Sequence, residues 1–305
     1  MKLRVLTPGP LTTIQDQGRF GYIASGIGTC GVMDADAYDA ANYLVGNRHG
    51  EAVLEATLAG PSIRFETDCI CAVTGADMDT RIGGVPVEPY RPFWVQAGQV
   101  LAMGFARTGC RGYLAVQGGF DVPAVMGSRS TDLKCAIGGL EGRALRAGDV
   151  LTVPDESRTS VMDRKRHAPV YSQSVTVRVV PGPQADAFAE EGWNTFWHGV
   201  FRLSTQSDRM GLRMEGPAIA TKHGADIVSD GIALGAIQVT SAGQPIILMA
   251  DRQTTGGYAK IGTVCTVDLP KLAQLKPGAE VRFEMITVEQ AQRRLKQRKW
   301  RAWFC

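Results

Sequence analysis

Apolar and polar residues alternate along most of the chain, in short runs that glycine and proline interrupt. Alternation with a period of two is typical of β-strands that bury one face. One pattern, a glycine turn followed by an alternating strand, recurs in VQAGQVLAMG (95–104), LRAGDVLTVP (145–154) and LKPGAEVRFE (275–284). This is the form expected of a barrel hairpin. Because it occurs in both halves of the chain, it predicts two successive β-barrel units.

The stretch PDESRTSVMDRKRHAPVYSQS (154–174) is polar and charged and has no sustained periodicity. Domain boundaries fall in segments of this kind, because few contacts cross them. We therefore predict an N-terminal domain at residues 1–160, a linker at 161–174 and a C-terminal domain at 175–305.

Few segments have helical periodicity. Residues 33–47 space apolar side chains one helical turn apart, with acids in the first turn and a glycine at the end, which predicts a helix. Residues 287–303 begin with a capping box formed by Thr287 and Gln290, and they carry six cations. We predict a basic terminal helix with a solvated charged face; contact with an acidic partner or a membrane surface is the alternative. A shorter helix is predicted within 184–197.

The composition is that of a globular protein. Hydrophobic residues make up 44% and charged residues 21% of the 305 residues, and the formal net charge is +3. This charge is too small, and the aromatic residues too separate from the basic ones, to indicate nucleic-acid binding. No apolar run reaches the roughly 20 residues of a membrane helix, and proline and glycine interrupt the N-terminus before a signal-peptide core forms. We expect a cytoplasmic protein with neither membrane nor nucleic-acid partners.

Cysteine and glycine motifs give no indication of a metal or nucleotide site. The seven cysteines are odd in number and lack framework spacing, which indicates reduced thiols. Cys69 and Cys71 lie two apart in a predicted strand, so we expect both on one face, in the core. The four histidines are isolated, so no metal site is predicted. GIGTCG (26–31) matches G-x-G-x-x-G, but no buried strand precedes it and no alternating β/α units follow, which favours a simple glycine-rich loop.

Polar side chains cluster at several glycine-containing turns. Taken singly, each cluster is explained by turn formation, since Asp and Ser bond backbone amides there and Gly supplies positive φ. Taken together, they predict a site, because guanidinium groups and carboxylates suit the binding of a carboxylate, an amide or a phosphate. The clusters are TTIQDQGRFGY (12–22) with Gln15, Asp16 and Arg19, TGADMD (74–79) with Asp77, GSRSTD (127–132) with Arg129 and Ser130, STQSDRMGLRMEGP (204–217) with Ser207, Asp208 and Arg209, and MADRQTTGGYAKIG (249–262) with Asp251, Arg252, Gln253, Thr254, Tyr258 and Lys260.

The longer motifs, in their order along the chain, carry a resemblance. They are TTIQDQGRFGY, MDADAYDAANYLVGN, VTGAD, RGYLAVQGGFDVPAVMGSRSTD, GGLEGRALRAGD, SDRMGLRMEGP, SDGIALGAIQV and QPIILMADRQTTGGYAKIG. Together they closely resemble the biotin-dependent carboxyltransferase / allophanate hydrolase subunit 2 family. That family includes the C-type subunit of bacterial 5-oxoprolinase, the Kip-type antagonist of a kinase inhibitor and the last carboxyltransferase segment of urea carboxylase. The resemblance implies a mainly β fold, with two tandem cyclophilin-like β-barrel domains and a few short helices.

The resemblance also implies partners. These are a B-type subunit of the allophanate hydrolase subunit 1 family and, for 5-oxoprolinase, an A-type lactam-utilisation protein. Such a complex uses ATP to open 5-oxo-L-proline to L-glutamate, although this chain has no nucleotide motif G-x-x-x-x-G-K-[ST]. One alternative is a carboxyltransferase acting on a urea- or guanidine-like acceptor, with biotin supplied by a partner. The other is a non-catalytic antagonist of a kinase inhibitor.

In such an assembly the polar clusters would line a cleft for a small polar substrate. Under the 5-oxoprolinase interpretation, Arg209 and Arg252 are the candidates for binding the substrate carboxylate. Under the carboxyltransferase alternative, Gln253 and Tyr258 would match the hydrogen bonds of the ureido ring. The candidate bases are Asp16, Asp208 and Asp251, and the other predicted substrate-binding residues are Gln15, Arg19, Thr254 and Lys260.

Overall fold

The computed structural model describes residues 1–154 and 160–304, with side chains through Arg298. Residues 155–159, at the end of the predicted first domain, and Cys305 lie outside the described residues. The chain divides into two compact units: one comprises residues 1–22 and 29–171, the other residues 23–28 and 172–305.

The first unit is built from antiparallel strands that form two sheets. One sheet has the order β11-β1-β4-β9-β6-β7 and the other the order β2-β3-β10-β5-β8. The bounds are β1 Lys2–Thr7, β2 Leu11–Gln15, β3 Val53–Thr57, β4 Ser62–Phe65, β5 Cys69–Asp77, β6 Arg81–Ile82, β7 Val85–Pro86, β8 Pro92–Val95, β9 Val100–Ala102, β10 Thr108–Val116 and β11 Val150–Thr152.

Strand β5 is buried on both faces, and its alternating side chains point into two different apolar cores. Cys69, Cys71 and Val73 belong to the apolar core between the two sheets. Ile70 and Ala72 point the other way, into a cluster with the buried face of a helix, α1 (Ala35–Val45). Cys69 and Cys71 therefore share one buried face, as predicted from their spacing. The six described cysteines form no disulfide bond with one another.

Helix α1 begins and ends as its sequence predicts. The Asp34 side chain accepts a hydrogen bond from the Ala37 amide at 3.0 Å, which satisfies an otherwise unbonded N–H of the first turn. Gly46 ends the helix in the left-handed conformation at φ 76°, and its N–H bonds the last-turn carbonyls.

Most of the segment predicted as a linker, 161–174, packs with the first unit. Val161 is buried in the α1 cluster. The Tyr171 hydroxyl lies 3.1 Å from that of Tyr90.

The second unit contains a closed barrel with the order β12-β19-β16-β17-β14-β13-β20. The barrel is closed by β12 and β20, which run parallel from Ser174↔Glu280 to Val179↔Met285. A separate two-stranded ribbon pairs β15 with β18. The bounds are β12 Ser174–Pro181, β13 Phe201–Leu203, β14 Gly211–Glu215, β15 Asp226–Gly231, β16 Ala236–Val239, β17 Pro245–Leu248, β18 Thr255–Tyr258, β19 Lys260–Val264 and β20 Glu280–Met285.

Three helices accompany this barrel: α2 (Glu190–His198), α3 (Leu269–Ala273) and α4 (Val288–Phe304). Helix α2 packs Phe196 against Phe283 of β20, with ring centroids 4.4 Å apart. Helix α4 begins at the predicted capping box: the Thr287 amide donates to Gln290 Oε1 at 2.9 Å, and the Gln290 amide donates to Thr287 Oγ1 at 3.3 Å. Helix α3 was not predicted, because five residues are too few to establish a periodicity.

The predicted mainly β fold with a few short helices is confirmed, but the repeated turns act differently from the prediction. Each turn is followed by a strand, β9, β11 or β20, yet none of these pairs with the strand immediately before it. In the first unit, β8 and β9 lie in different sheets, as do β10 and β11. The first of these turns therefore leads directly from one sheet to the other, and the second ends the longer connection between the sheets, residues 117–149. None of the described helices combines the length and the apolar character that a membrane span requires.

Candidate functional site

The loop 249–260 of the second unit follows β17 and leads through β18 into β19. Its first polar group, Asp251, is joined to Arg209 by two contacts of 2.8 Å, from Nε to Oδ2 and from Nη2 to Oδ1. The Arg209 side chain is 4% exposed and that of Asp251 is 12% exposed. A two-point pair of this kind fixes both side chains, so it holds the start of the loop to the turn that precedes β14.

Arg252 is buried, and its guanidinium reaches backbone oxygens. Nε donates to the Ile232 carbonyl at 3.3 Å and Nη1 to the Met249 carbonyl at 3.4 Å. The Ile232 amide in turn donates to the Thr254 carbonyl at 3.0 Å. Arg252 and Thr254 are thus both hydrogen-bonded to Ile232, the residue that follows β15.

Two primary amides converge on Gly256. A Cβ atom at this position would lie 2.7 Å from Gln238 Nε2 and 3.3 Å from Gln253 Nε2. Gln238, on β16, is buried and donates to the Tyr258 carbonyl at 3.2 Å. The absence of a side chain at Gly256 keeps both amide groups close to the backbone. Two amides side by side can match both the donor and the acceptor of a cyclic amide or a ureido group.

Lys260, at the start of β19, has a buried ammonium group. Nζ donates to Asp230 Oδ2 at 2.9 Å, and Gln184 Nε2 lies 3.4 Å from the same oxygen. Gln184 Oε1 also accepts from the Lys260 amide at 3.2 Å. The hydrogen bond from Lys260 holds the pKa of Asp230 below its ordinary value. The ammonium is therefore neutralised by a carboxylate that the sequence did not single out.

Asp208 is exposed and stabilises a turn. Its Oδ1 accepts from the Met210 amide at 2.8 Å and from the Gly211 amide at 3.0 Å. Such bonds to nearby amides are the ordinary task of Asp in a turn.

The predicted residues of the first unit form a separate buried cluster. Asp16 Oδ1 accepts from Ser128 Oγ and Ser130 Oγ, both at 2.6 Å, and from the Gly18 amide at 2.9 Å. Its Oδ2 accepts from the Arg129 amide at 2.6 Å. Four donors thus surround this carboxylate, which gives it a structural task in holding the 128–130 turn.

Gln15 and Arg19 flank that turn, and both are fully buried. Gln15 Nε2 donates to the Thr131 carbonyl at 3.2 Å, and Arg19 Nη2 donates to the Ser130 carbonyl at 2.9 Å. Gln15 Oε1 and Arg19 Nη1 have no hydrogen-bond partner in the described part of the chain.

The structure therefore gathers Arg252, Gln253, Thr254, Tyr258 and Lys260 on one loop of the second unit, with Arg209 and Asp251 at its start. Gln15, Asp16 and Arg19 belong to the first unit. Over residues 1–154 and 160–304, no group of three or more His, Cys, Asp or Glu side chains is arranged to hold a metal ion.

Three residues of the second-unit site were missed by the sequence reasoning. Gln238 had a usable signal, because it is a polar residue within the apolar strand AIQV. Asp230 lies in the motif SDGIALGAIQV but was not named as a site residue, and Gln184 had no signal, because nothing in its stretch distinguishes it from its neighbours.

Comparison with known proteins identifies the family. A model of the carboxyltransferase domain, subdomains A and B, matches residues 25–285. The chain belongs to the carboxyltransferase domain family. The resemblance drawn from the sequence motifs is thereby confirmed.

Relatives of this carboxyltransferase domain chain include two bacterial proteins of similar length. It is 42% identical to the 5-oxoprolinase C subunit of Haemophilus influenzae, over 92% of this chain and 89% of the relative. It is 40% identical to the 5-oxoprolinase C subunit of Escherichia coli, over 98% of both chains.

A solved relative has the same fold within a much longer protein. Kluyveromyces lactis urea carboxylase superposes with a TM-score of 0.92 at 30% identity. The match covers 99% of this chain but only 29% of the urea carboxylase, so this carboxyltransferase domain chain corresponds to one segment of that enzyme.

Proposed function

We propose that the chain is the C-type subunit of an ATP-dependent 5-oxoprolinase, which opens 5-oxo-L-proline to L-glutamate together with the A-type and B-type subunits. The observation that carries this proposal is the end-to-end match, at 40% identity over 98% of both chains, to a protein named as the C subunit of 5-oxoprolinase. This match also has a higher identity than the 30% match to urea carboxylase.

The chemistry of the site fits a lactam with a carboxylate. The amide groups of Gln238 and Gln253 beside Gly256 offer a donor and an acceptor to the ring amide. The Lys260 ammonium offers a positive charge at the same loop. The task proposed for this chain is to bind and orient the substrate, which lowers the entropic part of the barrier.

Water opens a lactam slowly unless the amide oxygen is first activated. In the proposed complex that activation consumes ATP, and because this chain has no Walker-type loop, no step on ATP is assigned to its residues.

Reconstitution tests this function. The chain is co-expressed with the A-type and B-type subunits, and glutamate release from 5-oxo-L-proline is measured with and without ATP. We expect ATP-dependent release only when all three chains are present. Release that persists without this chain would refute the proposal. Deletion of the gene should abolish growth on 5-oxoproline as nitrogen source, and complementation should restore it.

A second candidate is a carboxyltransferase that moves a carboxyl group from carboxybiotin to a urea- or guanidine-like acceptor. The TM-score of 0.92 to urea carboxylase favours it. In this case biotin would come from a partner protein, and Gln253 with Tyr258 would bind the ureido ring. Measurable binding of free biotin, together with no glutamate release by the reconstituted complex, would select this candidate.

A further inference from the structure

Two of the buried cations of the second-unit site, Arg209 and Lys260, differ in how firmly their counterions are held. Arg209 is bound at two points by Asp251, whose side chain is 12% exposed. Lys260 is bound at one point by Asp230, whose side chain is 53% exposed. Both cations are almost fully buried, so the difference lies in the acid. Solvent and solutes reach Asp230 and barely reach Asp251.

Lys260 is part of a rigid element. Strand β19 pairs with β12 on one side and with β16 on the other, inside the closed barrel. The Lys260 amide is further bonded to Gln184 Oε1. Its backbone is thus held by the pairing with Gln238 of β16 and by Gln184, and the more exposed acid is the partner that can move.

Asp230 lies on β15, which pairs with fewer strands than β19 does. Among the described residues strand β15 pairs only with β18, their register shifts between Asp226 and Asp230, and Val228 between them is 92% exposed. Backbone bonds extend this pairing beyond both ends of the ribbon: the Ala259 amide donates to the Ala225 carbonyl and the Ile232 amide to the Thr254 carbonyl. Asp230 lies near the Ile232 end, and its side chain is half-exposed, so the acid can leave Lys260 by rotation of its side chain.

A buried ammonium cannot be left without a counterion, because desolvation of an unpaired charge costs several kcal/mol. Departure of Asp230 is therefore favourable only when another anion takes its place. A substrate carboxylate has the same charge and the same oxygen geometry. Arg209 cannot accept such a group as readily, since both of its contacts to Asp251 would have to break.

We propose that Asp230 occupies the ligand-free carboxylate site on Lys260, and that the carboxylate of a small cyclic amide acid displaces it as the Asp230 side chain rotates away. The inference rests on the proposed function and deepens it. It assigns the substrate carboxylate to Lys260, whereas the sequence suggested Arg209 and Arg252, and it makes Asp230 a residue that sets affinity.

Binding measurements on the full chain, alone and in the reconstituted complex, test the inference. The probes are 5-oxo-L-proline, 2-pyrrolidinone, which is the same ring without the carboxylate, and glutarate, which has carboxylates without the ring. In Asp230→Asn the competing anion is removed, so both carboxylate probes should bind about 3- to 10-fold more tightly. Binding of 2-pyrrolidinone should not change. Lys260→Met should abolish the preference for 5-oxo-L-proline over 2-pyrrolidinone.

Asp226→Asn is the matched control. It removes the same charge from the same exposed strand, at a position that the structure does not place against Lys260. It should leave all three affinities unchanged, and its thermal stability shows whether an effect of Asp230→Asn comes from the ribbon as a whole.

Weaker binding of both carboxylate probes to Asp230→Asn would overturn the inference, because Asp230 would then be positioning Lys260. Absence of carboxylate binding in every form of the protein would also overturn it. Failure of the proposed function has a different outcome: the complex would release no glutamate, while Asp230→Asn would still bind glutarate more tightly than the unmodified chain.

Discussion

Replacement of Asp251 by Asn is expected to destabilise the second unit, because Asp251 neutralises a cation that has no access to water. The Arg209 side chain is 4% exposed, and both of its contacts to Asp251 are 2.8 Å long. Removal of one partner of a buried ion pair costs roughly 3–5 kcal/mol, since the remaining charge stays buried. Asp251 keeps some exposure and Asn keeps one acceptor oxygen, so we expect a loss near the lower end, about 3 kcal/mol.

The loss is measurable by urea unfolding and by calorimetry. For a unit of this size, each kcal/mol lowers Tm by roughly 2–4 °C, so a shift of about 6–12 °C is expected. A double-mutant cycle with Arg209→Met and Asp251→Leu isolates the pair. The double variant should lose less stability than the sum of the two single variants, with a coupling of about 2 kcal/mol or more.

Asp208→Asn is the control from the neighbouring turn. Asp208 is exposed, and its Oδ1 serves two backbone amides that an Asn oxygen serves equally. The free energy of unfolding of Asp208→Asn should stay within about 0.5 kcal/mol of that of the unmodified chain. If Asp251→Asn keeps full stability while the reconstituted complex loses activity, Asp251 acts as a catalytic carboxylate and its structural role here is wrong.

Three further changes probe other parts of the second unit. Arg252→Ala should give a folded protein that has lost about 1 kcal/mol and most activity in the complex, because the loop loses the bonds from Arg252 to the Ile232 and Met249 carbonyls. Arg252→Lys should not restore the activity, since Lys lacks the planar fork; full activity of the Ala variant would contradict this. Gly256→Ala should raise KM and lower Tm, because the new Cβ would lie 2.6 Å from the buried Ile232 side chain and 2.7 Å from the buried Gln238 amide; unchanged kinetics would remove Gln238 from the site. Burial alone would raise the pKa of Asp268, but hydrogen bonds from Arg178 and Lys271 hold that pKa below its ordinary value. The ionised carboxylate therefore stabilises the folded state above about pH 4, and this contribution is lost as the pH falls further. Acid unfolding curves of the unmodified chain and Asp268→Asn should therefore converge below about pH 4; a constant difference at lower pH would show that the carboxylate charge is not the cause.

Features set by neighbouring residues were predictable from the sequence. The Asp34 cap, the Gly46 end of α1 and the Thr287–Gln290 capping box all form as their spacing indicates. Each depends on bonds between residues about one helical turn apart, so local sequence is sufficient.

Features that join distant parts of the chain were not predictable. Asp16 is bonded by Ser128 and Ser130, more than a hundred positions away. The Asp230 partner of Lys260 comes from a strand whose residues are mostly exposed and show no apolar alternation. The sequence could name Lys260 as a candidate, but its counterion depends on the fold that brings Asp230 of β15 to Lys260 of β19.

The parallel pairing of β12 with β20 affects when the second unit can form during synthesis. The first strand of the barrel, β12, is synthesised before the others, and its parallel neighbour β20, from Glu280 to Met285, is the last barrel strand to be made. Until then β12 and β13 each have an unpaired edge, which is a site for wrong pairing between nascent chains. A chain stalled before Glu280 is expected to remain sensitive to protease from Ser172 onward, whereas its first unit, with all of its strands already made, should resist digestion.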